Sequence, residues 1–153
     1  MEWNLILQVF IASLLGFSIG IEREIHHSSA GIRTYAAIAL GACLFGIIST
    51  HVSGPSIYKS IVDPSRIAAQ IVSGIGFIGA GVIFKSGVTT RGLTTAATLW
   101  VTAAVGLAVA VNMIALPVFV TVLVILILSL SHSRFWVNFK NKISSRTHDN
   151  NDT

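Results

Sequence analysis

The chain has 153 residues, 53% of them hydrophobic and only 10% charged, with a formal net charge of +4. A soluble domain carries about 25% charged residues, so these charges are too few to solvate a soluble fold of this length, and an integral membrane protein is the class that remains. The basic residues are spread thinly between apolar runs, which argues against a nucleic-acid partner and makes them topology signals.

Five apolar runs follow one another: Leu5–Ile21, Thr34–Val52, Ile67–Phe84, Leu93–Val111 and Met113–Leu130. Each is close to the ~20 residues a helix needs to cross the hydrocarbon core, and none has a Lys, Arg, Asp or Glu in its interior. The predicted fold is therefore all-α, a polytopic transmembrane bundle of about five helices over residues 1–131, followed by a basic tail over 132–153. The first run opens on Met1-Glu2 without the positive charge of a signal peptide, so the loose cleavage-site likeness of Ser18 and Gly20 does not make it one. The last two runs are separated only around Asn112 and are too long for one crossing. A tight helical hairpin turning at Asn112 is the better reading, with Pro117 tolerated in a first helical turn.

Orientation follows from the connections. With five spans, Arg23, Arg33, Lys85 and Arg91 share a side with Arg134, Lys140, Lys142 and Arg146, while Lys59 and Arg66 lie opposite, a ratio of eight to two. The positive-inside rule then puts the N-terminus outside and the C-terminus in the cytoplasm. Between the second and third runs, Ile57, Tyr58, Ile61 and Val62 share one helical face and predict a short interfacial helix. Asp63-Pro64 has the pattern of an N-cap followed by proline at the first helical position. In the tail, Phe135, Trp136 and Phe139 among basic residues suit the inner membrane surface, and residues 144–153 have a disordered composition.

Lipid tails are as apolar as leucine, so helices associate through small residues. Ala12, Gly16 and Gly20 form a stripe of spacing four, as do Ala37 and Gly41. Ala69, Ser73, Gly76 and Ala80 share a face of the third run, beside Gly74, Gly79 and Gly81; Thr98, Thr102, Gly106 and Ala110 align in the fourth. The fifth is almost all Val, Ile and Leu. Four tightly packed helices and a peripheral fifth are the expectation.

Gly74-Ile75-Gly76-Phe77-Ile78-Gly79 matches a dinucleotide fingerprint but lacks the strand, helix and acidic residue that chemistry requires. Close packing accounts for it; a third helix broken at its glycines, exposing carbonyls as transporters do, is the rival reading. Glu22, Arg23 and Glu24 end the first run, Arg33 precedes the second and Arg91 the fourth. Charges so near hydrocarbon are expensive unless paired or reaching water, so Glu22 is expected either to pair with Arg33 or Arg91 or to be solvated. His26-His27 has no Cys partner, and solvated histidines explain it better than a metal site. Thr94, Thr95 and Thr98 accompany Trp100, which lies well inside the fourth run and is expected to pack between helices, with lipid contact the alternative. Lone Cys43 permits no intrachain disulfide. No catalytic triad, H-E-x-x-H or pair of intramembrane aspartates occurs, so neither an enzyme nor a cofactor is expected.

Three blocks resemble the MgtC/SapB family of bacterial inner-membrane proteins: Gly20-Ile21-Glu22-Arg23-Glu24 with Ala30-Gly31-Ile32-Arg33-Thr34, then Gln70 to Gly81, then Arg91 to Trp100. They occur in order across roughly residues 12–111, and the resemblance covers the family's transmembrane domain without its soluble, ACT-like C-terminal domain. It implies a multi-pass plasma-membrane protein linked to adaptation to low Mg²⁺ and, in pathogens, to survival inside macrophages. It further implies a regulator that acts through other membrane proteins, the F-type ATP synthase among them, or through self-association in the bilayer. Transport of Mg²⁺ or another cation is the alternative. Against it, no carboxylate lies within any run, whereas Mg²⁺ takes oxygen ligands.

Overall fold

Hydrocarbon offers no water to backbone N–H and C=O groups, so apolar runs of this length must close their hydrogen bonds internally as helices. In the computed structural model, which describes residues 2–52, 63 and 65–130, they do. Helix α1 spans Glu2–Ile25, α2 Ile32–Val52, α3 Ser65–Gly81, α4 Leu93–Ala110 and α5 Ala115–Leu130. Between α3 and α4 two short strands, β1 (Phe84–Ser86) and β2 (Thr89–Arg91), pair as an antiparallel hairpin. Three helices, α1, α2 and α4, are long and apolar enough to cross a membrane; α5 is apolar but shorter, and α3 has 17 residues.

Consecutive helices run antiparallel, so the end of α1, the start of α2, the end of α3 and the start of α4 gather at one end of the bundle. The contacts there show it: Glu24 reaches the backbone of Ile32, Ser28 meets Thr95, and Gly79 lies against Ala96. At the opposite end Gln8 donates to the Asn112 side chain across 3.2 Å, tying α1 to the α4–α5 turn. Asn112 occupies that turn with φ +65, and Pro117 falls in the first turn of α5, as expected from the sequence.

The centre of the bundle is α1, α2 and α4. Gly16 lies so close to α2 that a Cβ there would stand 2.5 Å from the Tyr35 carbonyl oxygen and 2.7 Å from the Ala39 Cβ. Gly106 of α4 is pressed against the backbone of the same residue, Ala39, in the same way. Small residues thus bring three backbones together, and Ala12, Ile19, Tyr35, Cys43, Leu99 and Val109 are fully buried around them. Helix α5 is peripheral: Pro117, Thr121 and Leu128 are its buried residues, and most of the remainder is exposed.

Three expectations need correction. The first helix runs four residues beyond its apolar stretch, to Ile25, because burial of Glu22 and Arg23 lets the helix continue through its charges. The third ends at Gly81 rather than Phe84, since residues 84–91 are drawn into the hairpin. It is also not the fourth member of a tight bundle: Ile75 and Gly79 are its buried residues, and its small-residue face is open. That helix is continuous rather than broken, since its glycines still make helical backbone bonds. The interfacial segment expected at Ile57–Val62, Pro64, and the tail from residue 131 lie outside the described residues. Asp63 does act as a cap, its carboxylate accepting from the Ser65 N–H and the Ser65 hydroxyl at 2.8 Å each. Those bonds, the backbone one first, hold the Asp63 carboxyl below the ordinary carboxylate range.

Candidate functional site

The signature residues converge where α1 ends and α2 and α4 begin. Glu22 and Arg23 sit on the last turns of α1 with side chains only 8% and 7% exposed. Two ions that deep each carry a desolvation cost of several kcal/mol unless paired. They pair with each other: the Arg23 Nε donates to Glu22 Oε2. His26, one turn on, places Nδ1 2.8 Å from the Glu22 carbonyl oxygen and 3.1 Å from Glu22 Oε1. One Nδ1–H serves one acceptor well, so Oε1 keeps no well-directed hydrogen bond, and Arg23 Nη2 is likewise buried without a partner. The pair is neutral in sum yet not fully satisfied.

Beneath it lies a ladder of hydroxyls. Ser28, in the α1–α2 connection, meets Thr95 at 2.9 Å, and the fully buried Tyr35 meets Thr98. Thr98 Oγ1 is 2.9 Å from the Thr94 carbonyl and 3.0 Å from that of Thr95. Its one proton goes there, so the Tyr35 O–H is the donor to Thr98. Thr102 continues the ladder by donating to the Thr98 carbonyl at 2.8 Å. Hydroxyls at spacings of three and four fall on one helix face, and this face points into the bundle: Thr95, Thr98 and Thr102 are all buried.

The glycines of the signature hold this arrangement closed. Glu24 accepts from the Ile32 N–H across 3.1 Å, capping an otherwise unsatisfied donor at the start of α2. Any side chain at Gly31 would collide with that carboxylate, and a Cβ at Gly20 would stand 2.6 Å from the Ile32 Cα. Gly92, with φ +88, rests on the Val82 carbonyl and fixes the base of the hairpin to α4.

Of the residues singled out from sequence, Glu22, Arg23 and Thr95 meet here, together with Thr98. Arg33 and Arg91 are exposed and do not pair with Glu22; the adjacent Arg23 reaches its carboxylate first. Thr94 is exposed, and Trp100 is 51% exposed on the outer surface rather than packed between helices. Ala12, Gly16, Gly20 and Gly106 are at helix crossings, and a Cβ at Gly79 would meet the Ala96 Cβ at 3.5 Å. A Cβ at Gly74, Gly76 or Gly81 would meet nothing within 4 Å. Sequence reasoning passed over Tyr35 and Ser28 and took His26 as solvated. The available signal was a tyrosine at the start of an apolar run, where its hydroxyl must find a partner.

Between α2 and α3 an apolar cavity of about 690 Å³ opens sideways, with Gly41 and Gly74 on its walls and Gln70 and Thr34 as its polar members. Among the described residues no group of three or more His, Cys, Asp or Glu side chains gathers as a metal site would require.

Residues 9–134 match the MgtC family. Protein MgtC of Brucella abortus (strain 2308) is 51% identical over 114 residues, covering 74% of this chain and 45% of the relative. Protein MgtC of Salmonella typhimurium is 52% identical over 101 residues, 66% of this chain and 41% of the relative. YhiD of Escherichia coli K12, provisionally named a magnesium transporter, is 40% identical over 134 residues, 86% of this chain and 62% of the relative. The chain thus spans about half the length of the relatives it matches. No solved structure matches.

Proposed function

The chain belongs to the MgtC family, and from that premise we propose that it is a multi-pass protein of the bacterial plasma membrane that regulates adaptation to low magnesium through contacts with other membrane proteins. The observation that carries this reading is the open face of α3. Gly76 has empty space above it, and Ala69, Ser73 and Ala80 on the same helical face are exposed. In a bilayer, small residues serve close helix approach, and none of the described helices covers this face. A helix of another membrane protein fits that face, and the F-type ATP synthase is the first partner to test. The chain is read as a non-enzyme without a cofactor.

The N-out, C-in orientation belongs to the same proposal. Among the described residues, Arg23, Arg33, Lys85 and Arg91 lie at the signature end and Arg66 at the other, which supports a cytoplasmic signature end.

Cation transport is the second reading, favoured by the name of the E. coli relative. Purified protein in proteoliposomes separates the two: Mg²⁺ flux dependent on the protein sinks the regulator. For the regulator, affinity purification from membranes recovers a partner that Gly76→Leu abolishes without unfolding the protein, because the new side chain enters open space. A partner retained by Gly76→Leu refutes the assignment to α3.

A further inference from the structure

The hairpin between α3 and α4 was not anticipated from the sequence, and neither the polar cluster nor the open face of α3 uses it. Its strands pair Phe84 with Arg91, Lys85 with Thr90 and Ser86 with Thr89, leaving Gly87 and Val88 as a two-residue loop. Gly87 has φ +58 while Val88 stays in the negative region, the pattern of a type II′ turn with glycine first. The turn requires the glycine; it does not require a valine at the tip, where polar residues are favoured. Yet Val88 is fully exposed, Phe84 is 63% exposed and Leu93, where α4 starts, is 58% exposed. Lys85 and Arg91 are exposed too, and among the described residues neither side chain forms an ion pair or hydrogen bond. No acidic residue occurs between Asp63 and Asp149, so this arm carries positive charge and apolar side chains without local compensation.

We propose that the Phe84–Arg91 hairpin docks on anionic phospholipid headgroups at the bilayer surface. The inference rests on the membrane-spanning reading with the signature end at the charged leaflet. Charge complementarity names the occupant: two unpaired cations flanked by apolar side chains match phosphates lying over acyl chains. The dimensions agree. Strands of three residues reach ~10 Å at ~3.3 Å per residue, and the headgroup layer is only ~5–7 Å deep on each side. Arg91 at the base of the arm and Lys85 one residue further out therefore stay within reach of phosphate level however the arm leans. The base itself is held, because Gly92 is locked against the Val82 carbonyl. Phosphates take the cations, and Val88 and Phe84 enter the boundary below the headgroups, as interfacial segments do.

The test uses the full chain in nanodiscs with a nitroxide on Val88→Cys, read by accessibility to oxygen and to a water-soluble nickel chelate. Cys43 is buried, and unsubstituted protein taken through the same labelling supplies the background. One basic residue near an anionic surface is worth about a factor of five, so phosphatidylglycerol in place of phosphatidylcholine should raise the docked-to-free ratio about 30-fold. Lys85→Gln with Arg91→Gln should abolish that dependence, Lys85→Arg with Arg91→Lys should keep it, and high NaCl should weaken it. Equal nickel accessibility of the label in both lipids overturns the proposal. So does release by inorganic phosphate beyond that of NaCl at equal ionic strength, which would mean a free-anion site. A second label at Phe119→Cys on the exposed face of α5 monitors insertion. If it reports lipid while Val88→Cys reports water in both bilayers, the hairpin proposal fails and the membrane reading stands. If Phe119→Cys itself reports water, both fail.

Discussion

Alanine at Gly16 and alanine at Gly74 are the same chemical change on two helical glycines, and the structure gives them opposite signs. At Gly16 the added methyl would stand 2.5 Å from the Tyr35 carbonyl oxygen and 2.7 Å from the Ala39 Cβ. Non-bonded carbons prefer about 3.5–4.0 Å, so α1 and α2 must separate by roughly an ångström. Helix α2 has little room to yield, because the Ala39 backbone is also pressed by Gly106 of α4. Overpacking of this kind costs about 1–3 kcal/mol. At Gly74 nothing stands within 4 Å, so the methyl costs no contact and helix propensity gains up to ~1 kcal/mol. The two variants should thus differ by about 1–4 kcal/mol, or roughly 5- to 700-fold in the folding equilibrium at 1.4 kcal/mol per decade. Sodium dodecyl sulfate titration in mixed micelles, followed by circular dichroism, measures it. If Gly74→Ala loses as much as Gly16→Ala, or if Gly16→Ala lies within about 0.5 kcal/mol of the parent, the packing derived above is wrong.

Three other outcomes follow from named contacts. Glu22→Met or Arg23→Met alone leaves one buried charge uncompensated and should cost about 3–5 kcal/mol, whereas both together should recover most of it; a double-mutant cycle with additive costs would refute the pairing. Tyr35→Phe removes the donor to Thr98 and should cost about 0.5–1.5 kcal/mol, with Tyr35→Phe/Thr98→Val costing less than the two singles summed. Asp63 is a pH prediction. Its pKa in the folded protein is depressed by the bonds from Ser65, so the cap contributes in full above the unfolded value near 3.9. That contribution is lost as pH falls through the lower folded value. Carbon NMR titration of the Asp63 carboxyl should give a midpoint below that of aspartate in an unstructured peptide, and a midpoint at or above about 3.9 overturns the cap.

The bilayer class, the helix count and the helical hairpin at Asn112 are legible in the sequence because they depend on local quantities: apolar run length, absence of charge, and turn chemistry. Glycine identity was equally legible, but glycine role was not. Gly16, Gly20 and Gly106 sit at backbone crossings, while Gly74, Gly76 and Gly81 face open space, and nothing in a spacing of four distinguishes a stripe that is covered from one that is not. The same holds for charge. The sequence put Glu22, Arg33 and Arg91 at one end of the bundle. Which cation reaches Glu22 depends on where α1 stops, and α1 carries Arg23 into the interior beside it. Partnership between residues 22 and 26, 28 and 95, or 35 and 98 is decided by the rotation and depth of three packed helices. Periodicity can place a residue on a helix face, but only packing selects the neighbour that face meets.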